Sequence, residues 1–163
     1  MKSRIKHCTI RSFHKTYGLN TTISICSNNY GPNQNKEKLI PKVIDCLIND
    51  KSIPIFGDGM NIRDWIYVHD HCQAVDVIFN NAKSGSIYNI AGKNELTNIE
   101  VVDIIYNIIN KKQKIHKKIE FIHDRYGHDY RYSININRIK KELNWYPSCN
   151  FNEALNKYLN IEI

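Results

Sequence analysis

Apolar residues concentrate in five short stretches that are separated by segments rich in asparagine, glycine and lysine. Short runs of β-branched and apolar residues bounded by turn formers are typical of strands. The pattern predicts strands at residues 21–26, 53–56, 62–68, 87–90 and 119–123. The second and third flank Gly57-Asp58-Gly59, a turn sequence that favours pairing of these two strands as a hairpin.

Helix starts are marked by side chains that can accept hydrogen bonds from exposed backbone N–H groups. Thr97 with Glu100, and Asp70 with Gln73, have the spacing of a capping box. Apolar residues then recur with helical periodicity, at Ile99, Val102, Ile105 and Ile109.

Two further helices are predicted near the end of the chain. Asn135 can cap a helix that stops at Asn144, a residue that tolerates left-handed backbone, and Pro147 prevents its resumption. Asn150 with Glu153 opens a last short helix. Because strands alternate with helices along the chain, the fold class is predicted to be α/β.

The length of 163 residues and the 42% hydrophobic content suit one compact core. The net charge of +7 invites a nucleic-acid interpretation. The only dense basic run covers residues 111–118 and follows an apolar helical stretch, where cations stabilise a helix C-terminus. We therefore predict a solvated helix end and no nucleic-acid partner.

The cysteines are odd in number and contain no C-x-x-C pair, which argues against a disulfide framework or a thiolate zinc site. His69 and His71 form an H-x-H pair without a third ligand spacing, so structural histidines are favoured and no metal is predicted. No apolar run has the length of a membrane span, and no signal-peptide core follows the N-terminus. We expect a soluble, cytoplasmic protein with reduced thiols.

Candidate chemistry first appears between residues 26 and 41, where a strand end leads through an amide-rich turn into a helix. The carboxyl ends of strands in α/β sheets are common ligand sites. Asn28 and Asn29 each offer a donor and an acceptor for sugar hydroxyls or amides. Ordinary turn chemistry is the alternative, because asparagine, glycine and proline are the usual turn residues.

A second polar cluster, residues 124–132, directly follows the last predicted strand. Arg125 and Arg131 can fork onto phosphate oxygens, His128 can donate to one, and Gly127 permits close backbone approach. From the residues alone, a ligand loop and an ordinary polar loop are equally supported.

Arg63 alternates with apolar neighbours, so it projects from one strand face while Ile62, Asp64 and Ile66 project from the other. An arginine in a strand is either ion-paired or anion-binding. Asn98 follows the Thr97 cap, where exposed N–H groups and the helix dipole favour an anion.

Six segments, in unbroken order from about Ser12 to near the end, resemble the C-terminal half of dTDP-glucose 4,6-dehydratases, members of the extended short-chain dehydrogenase/reductase superfamily. The segments are S-N-N-Y-G-P, E-K-L-I-P, P-I-F-G-D-G, I-R-D-W-I-Y-V-H-D-H, Y-N-I-A-G and D-R-Y-G-H-D-Y-R-Y. Residues 1–11 are basic where the family has an apolar helix, and we expect them to lie outside the resemblance.

The resemblance implies the substrate-binding portion of an extended Rossmann-type dehydratase that lacks the N-terminal dinucleotide-binding core. Residues 1–30 would be a helix-plus-strand remnant of the Rossmann-like domain. Residues 31–163 would be mainly the substrate-binding domain, with 62–82 returning to the Rossmann sheet. In the family, bound NAD oxidises the sugar at C4, water is lost across C5 and C6, and the hydride returns at C6.

The resemblance also implies roles for particular residues. Asn29 matches a contact to the nicotinamide side of NAD. Phe56 replaces a commoner tyrosine and Tyr126 replaces a proline, which removes a fixed backbone angle from that loop. The implied substrate-binding residues are Asn28, Lys38, Leu39, Pro54, Ile55, Phe56, Arg63, Asn98, Asp124, Arg125, Tyr126, Gly127 and His128.

The family's catalytic groups have no counterpart in this sequence. No tyrosine is followed four residues later by lysine, no Asp-Glu dipeptide occurs, and the single G-x-G, at residues 57–59, lies in the predicted hairpin instead of a cofactor loop. We therefore predict no catalytic residue here, and no NAD binding by this chain alone. A truncated or frameshifted gene, or an alternative start, would explain the pattern.

Three functions stay open. In the first, the chain is the nucleotide-sugar-binding portion of a dTDP-glucose 4,6-dehydratase, or of its UDP-glucose equivalent, and a separately encoded N-terminal half completes it. Alternatively it is a non-catalytic nucleotide-sugar-binding module. As a gene remnant, it would expose a strand edge and be marginally stable. The family homodimer does not carry over automatically, because its contacts lie largely on the missing half.

Overall fold

The computed structural model describes residues 2–162, and the side chains of residues 7–160. Six helices and eight short strands alternate over these residues, which makes the chain an α/β protein. In chain order they are α1 (Lys2–Tyr17), β1 (Ile23–Cys26), β2 (Asn28–Tyr30), α2 (Leu39–Ile48), β3 (Ile53–Phe56), β4 (Ile62–Tyr67), α3 (Val68–Asn81), β5 (Ile87–Ile90), β6 (Glu95–Thr97), α4 (Asn98–Lys112), β7 (Ile119–Ile122), β8 (Arg131–Tyr132), α5 (Asn137–Leu143) and α6 (Phe151–Glu162).

The strands form three small sheets. β1 pairs in parallel with β5, and β3 pairs in parallel with β7. In the remaining sheet β4 lies between β2, to which it is parallel, and β6, to which it is antiparallel, and it also pairs with β8. All five predicted strands are present, two with the predicted ends and three with one end shifted by one or two residues.

The predicted hairpin between β3 and β4 is wrong. The Gly57 N–H donates to Ile122 O, which continues the β3–β7 ladder, while Ile62 N donates to Tyr130 O as β4 begins beside β8. Gly57 and Gly59 both have positive φ, so residues 57–59 do form the predicted turn. The five residues between the strands separate them enough for each to pair elsewhere.

Two hydrophobic clusters fill the protein, and β4 contributes to both. The first cluster is centred on α2, α4 and α6 with β3, and it includes Trp65. The second lies between α3, α5 and β5, and it includes Ile66. Adjacent strand residues face opposite sides of a sheet, so Trp65 and Ile66 point into different clusters.

The second cluster contains elements from both sides of the predicted domain boundary at residue 30. Partly buried Cys26 of β1 packs against the cluster that β5 and α5 help to form. The division at residue 30 stays a prediction, but packing joins its two parts through the β1–β5 pair.

The predicted capping box at Thr97 is confirmed. Its hydroxyl accepts from Glu100 N at 3.2 Å, and the Glu100 carboxylate accepts from Thr97 N at 2.7 Å. The hydrogen bonds that this carboxylate accepts from Thr97 N and from Thr97 Oγ1 hold the pKa of Glu100 below its usual value. α4 therefore starts at Asn98, as predicted.

The predicted cap at Asp70 is wrong. α3 starts two residues earlier, at Val68, and the Asp70 side chain is buried inside the helix. Its carboxylate accepts from Ser148 Oγ at 2.6 Å and from Ser148 N at 3.2 Å. Because a buried carboxylate requires hydrogen-bond partners, Asp70 instead ties α3 to the loop before α6.

The last two helices begin and end close to the predicted capping and terminating residues. Asn135 Oδ1 accepts from Asn137 N at 2.7 Å, although α5 begins one residue later than a cap at Asn135 would place it. Asn144 ends α5 with φ 49° and ψ 32°, the left-handed conformation. Asn150 Oδ1 accepts from Glu153 N at 2.9 Å at the start of α6.

The basic run after α4 is partly neutralised by carboxylates. Lys117 pairs with Asp103, and Lys118 pairs with Asp50 at 3.1 Å. The run thus anchors the chain between α4 and β7 to neighbouring elements. Within residues 2–162, no helix is both long and apolar enough to cross a bilayer.

Candidate functional site

A cleft of about 880 Å³ opens between the start of α2, the ends of β2, β3 and β7, and the loop after β7. All but three of the predicted site residues line it; the exceptions are Asp124, Tyr126 and Gly127. The lining residues are Asn28, Asn29, Gln34, Lys36, Glu37, Lys38, Leu39, Lys42, Pro54, Ile55, Phe56, Arg63, Trp65, Asn98, Ile122, Arg125 and His128.

Parallel pairing explains why distant segments meet here. Phe56 at the end of β3 lies opposite Ile122 at the end of β7, so the loops that follow both strands leave from the same edge. Asn28 at the start of β2 lies opposite Trp65 in β4. The sheets therefore bring together residues that are far apart in sequence.

Arg63 reaches the cleft from β4. Its guanidinium donates to Ile62 O at 2.7 Å and to Asp129 O at 2.7 Å. Among the described residues it has no carboxylate within ion-pair distance, so its charge is not neutralised by a protein partner. The backbone carbonyls fix its orientation.

Asp64 lies on the other face of β4, as the strand alternation predicts. Its buried carboxylate accepts from Asn94 N at 3.0 Å, and burial raises its pKa. It therefore does not neutralise Arg63, and the anion-binding alternative for that arginine is supported.

Arg125 stacks on Phe56 at the rim of the cleft. Its guanidinium carbon lies 4.3 Å from the ring centroid, a cation–π distance. This contact holds the guanidinium over Phe56 at the end of β3, where its N–H groups have no acceptor among the described residues and can meet an anion. Arg131, by contrast, is bound by both its Nε and Nη2 to Glu95 at 2.7 and 2.8 Å, so the prediction that it forks onto a phosphate is wrong.

The loop after β7 is closed by a hydrogen bond between Asp124 Oδ1 and His128 Nδ1 at 2.7 Å. Asp124 Oδ1 also accepts from Arg125 N at 2.8 Å. The His128 bond is the main cause that holds the pKa of Asp124 below its usual value. The contribution of the ionised Asp124 carboxylate to folding stability is therefore fully present above the ordinary aspartate pKa. It is lost only as the pH falls through the lowered pKa of Asp124.

The loop's remaining residues face away from the cleft. The Tyr126 side chain is 97% exposed, and its ring lies 5.8 Å from that of His123. Gly127 has φ 69°, a left-handed conformation that glycine adopts without steric cost. Gly127 thereby lets the chain turn back so that His128 reaches Asp124.

A cationic wall formed by Lys36, Lys38 and Lys42 lines the α2 side of the cleft, with Glu37 among them. Together with Arg63 and Arg125, the lining contains five basic residues and one acidic residue. Such an excess of positive charge in a concave site favours an anionic ligand.

Amide side chains form the floor of the cleft. Asn29 Nδ2 donates to Ser27 O at 3.2 Å and contacts Cys26 Sγ at 3.4 Å, which fixes its orientation. Gln34 Nε2 donates to Asn29 O at 2.7 Å and holds the turn against β2. Asn29 Oδ1 is buried without a hydrogen-bond partner among the described residues.

The start of α4 differs from the expected anion site. The N–H of Asn98 donates to Asn61 O at 3.2 Å, and that of Ile99 donates to Gly59 O at 3.2 Å. Since Glu100 N is used by the capping box, these N–H groups are not available to a ligand. Asn98 can therefore contribute only its side chain and the helix dipole.

Sequence reasoning missed several lining residues that had detectable signals. Lys42 lies one helical turn after Lys38 and so shares its face. Trp65 lies two residues after Arg63 on the same face of β4. Gln34 and Glu37 lie in the segment already selected for its amides. Within the part of the chain that is described, no group of three or more metal-binding side chains occurs.

Comparison with known proteins agrees with this geometry. The family model for GDP-mannose 4,6 dehydratase matches residues 3–158. The expectation that residues 1–11 lie outside the resemblance is therefore wrong for residues 3–11. α1 is a continuous helix whose described residues are mostly exposed, so it tolerates a basic sequence.

Individual relatives cover most of this chain. A dTDP-glucose 4,6-dehydratase from Escherichia coli is 43% identical over 152 residues, which are 91% of this chain and 42% of that protein. The dTDP-glucose 4,6-dehydratase from Bacillus anthracis str. Ames, solved in complex with NAD, has a TM-score of 0.86 and 42% identity, covering 94% of this chain and 48% of that one. The Streptomyces venezuelae enzyme, also with NAD bound, has a TM-score of 0.87 and 35% identity, covering 94% and 47%.

This chain spans less than half the length of these dTDP-glucose 4,6-dehydratases. The family model, the sequence identity and the shared architecture nevertheless all agree over nearly its whole length. The chain therefore belongs to the GDP-mannose 4,6 dehydratase family, and it resembles part of the dTDP-glucose 4,6-dehydratases within the extended short-chain dehydrogenase/reductase superfamily.

Proposed function

We propose that the cleft binds a nucleoside-diphosphate sugar, as the substrate-binding portion of a dTDP-glucose 4,6-dehydratase. The observation that carries this proposal is the meeting of Arg63, Arg125 and His128 in one cleft with Asn28. Two guanidinium groups without carboxylate partners suit a diphosphate, and an amide suits sugar hydroxyls.

The end of β3 is the proposed position of the nucleobase. Phe56 offers an aromatic face beside the stacked Arg125 guanidinium, and Pro54 and Ile55 add apolar surface. A thymine and a uracil present the same ring face and carbonyls, so this surface suits both. The identity to dTDP-glucose 4,6-dehydratases favours thymine.

NAD fits these residues at one point only. Asn29, in the middle of β2, is the proposed contact to the nicotinamide side, because its Oδ1 is buried without a hydrogen-bond partner among the described residues. Within the described residues, the G-x-G at 57–59 leads into β4 and not into a helix, so it does not form a pyrophosphate-binding turn. We propose that this chain alone does not bind NAD.

We infer that polypeptide beyond these residues, on a longer chain or separately encoded, supplies the NAD loop, the tyrosine–lysine pair and the Asp-Glu pair. Among the described strands β1 pairs on one side only, with β5. Phe13 and Tyr17 of α1 and Phe79 of α3 are large exposed apolar residues. An open edge and exposed aromatics support a further packed unit.

Titration calorimetry tests the binding proposal directly. A folded, monodisperse sample should bind dTDP-glucose, and thymidine should bind at least roughly 10-fold more weakly because it lacks the diphosphate. UDP-glucose measures the contribution of the base. Absence of heat with both nucleotide sugars would contradict the proposal.

Complementation tests the dehydratase assignment. The N-terminal region of the Bacillus anthracis relative, joined to or co-expressed with this chain, should restore formation of a 4-keto-6-deoxy sugar that absorbs at alkaline pH. The same region alone is the control. A soluble, correctly joined complex that binds NAD and dTDP-glucose without forming product would rule out the assignment.

A further inference from the structure

We propose that Asp124 is a positioning residue for nucleotide binding: its carboxylate orients the His128 ring towards the cleft and does not itself touch the ligand. This inference rests on the proposed function and refines it, since family resemblance implies that Asp124 contacts substrate directly. The distinction is testable, because a positioning residue acts only through its partner.

Geometry separates the two residues. His128 lines the cleft and its side chain is only 16% exposed, whereas Asp124 is not among the lining residues. Asp124 Oδ1 already accepts from His128 Nδ1 at 2.7 Å and from Arg125 N at 2.8 Å. Its hydrogen bonds are thus made within the loop.

The other carboxylate oxygen is confined by the neighbouring turn. A Cβ built on Gly57 would lie 3.2 Å from Asp124 Oδ2, so the carboxylate packs closely against this glycine. Gly57 has φ 59°, and its N–H donates to Ile122 O. The turn after β3 therefore limits where the Asp124 side chain can lie.

Hydrogen-bond chemistry then defines what His128 can do. An ionised carboxylate only accepts, so Nδ1 must carry the proton that it donates to Asp124. Nε2, on the opposite side of the ring, is an acceptor in the neutral ring and a donor in the protonated ring. His128 can therefore donate to a phosphate oxygen only as a cation, which forms a charge-assisted bond.

A backbone hydrogen bond closes the turn between Arg125 and His128 independently of the Asp124 carboxylate. His128 N donates to Arg125 O at 3.2 Å. The Arg125 guanidinium is held separately, by its contact with the Phe56 ring. Loss of the Asp124 carboxylate should therefore reach the ligand through the His128 ring.

A double-mutant cycle with thymidine 5′-diphosphate tests the proposal on the full 163-residue chain. We expect Asp124→Ala to raise Kd about 10-fold in the wild-type background, the loss of one charge-assisted contact. In the His128→Gln background the same change should raise Kd less than about twofold, because its partner is gone. Glu120→Gln is the matched control, since this exposed carboxylate on β7 is not among the residues that line the cleft, and it should leave Kd unchanged.

Equal effects of Asp124→Ala in both backgrounds would show direct ligand contact and overturn the proposal. No effect in either background would overturn it as well. If the wild-type chain does not bind thymidine 5′-diphosphate, the proposed function fails, and the position of the ring proton still decides the role of Asp124.

That proton is read by ¹⁵N NMR of the histidine rings at alkaline pH, where imidazoles are neutral. His128, assigned by its loss in His128→Gln, should carry its proton on Nδ1. Asp124→Ala should shift it towards Nε2, and Asp124→Glu should restore Nδ1 at least in part. A wild-type ring protonated on Nε2, or one that does not respond to Asp124→Ala, would overturn the proposal.

Discussion

Gly92→Ala is expected to destabilise the fold strongly. A Cβ at this position would overlap the carbonyl oxygen of Trp65 and lie 2.9 Å from Ile66 Cα, both backbone atoms of β4. Both residues are held in place, because Trp65 and Ile66 pair with Asn28 and Asn29 of β2 and Trp65 N donates to Asn94 O at 3.1 Å. We expect the free energy of unfolding to fall by roughly 3 kcal/mol or more, as in severe overpacking.

Urea denaturation followed by circular dichroism measures this loss. Gly18→Ala is a suitable control, because Gly18 has φ 67° but an added Cβ would meet no atom within 4 Å. It should cost only the strain of a left-handed alanine, about 1 kcal/mol. If the Gly92 variant were as stable as the Gly18 variant, the close approach of residue 92 to β4 would be incorrect.

Arg125→Ala is expected to weaken binding of thymidine 5′-diphosphate by about 10- to 100-fold, the range for a lost charge-assisted hydrogen bond. Among the described residues Arg125 forms no ion pair, so its charge is available to the ligand, and Phe56 holds its guanidinium at the cleft rim. Arg125→Lys should recover only part of the affinity, since an ammonium neither forks onto phosphate nor stacks as a plane. Titration calorimetry gives both values.

Arg131→Ala provides the matched control for this measurement. Arg131 lies six residues later and carries the same charge, but Glu95 occupies its guanidinium outside the cleft. Its removal should change Kd less than about twofold, because long-range charge effects are screened by salt. A similar loss in both variants would indicate non-specific attraction to a basic protein, and the cleft would not be the binding site.

The fold was predictable where the pattern is local. Thr97 with Glu100 and Asn150 with Glu153 carry their capping chemistry within four residues, and both helices start there. The predicted hairpin was wrong because strand pairing depends on partners distant in sequence, and the partner of β3 is β7. The predicted cap at Asp70 was wrong because the local sequence does not distinguish a capping aspartate from a buried one. The hydrogen-bond partner of Asp70 is Ser148, which lies far along the chain.

The candidate site was predictable to the extent that it follows strand ends. Asn28, Phe56 and Arg125 each follow or end an apolar stretch, and the sheets bring them into one cleft. The sequence could not separate Arg125 from Arg131, because the partner of Arg131 is Glu95 on another strand. It also could not show that hydrogen bonds inside the protein occupy the first N–H groups of α4.

β4 has a consequence for how the protein melts. Its consecutive residues Trp65 and Ile66 belong to separate hydrophobic clusters. A fluctuation that detaches this strand therefore exposes both clusters to water at once. Neither cluster then remains fully buried, so partially folded species have little apolar burial to stabilise them. We therefore expect unfolding to be all-or-none, with detachment of β4 as the step that both clusters share.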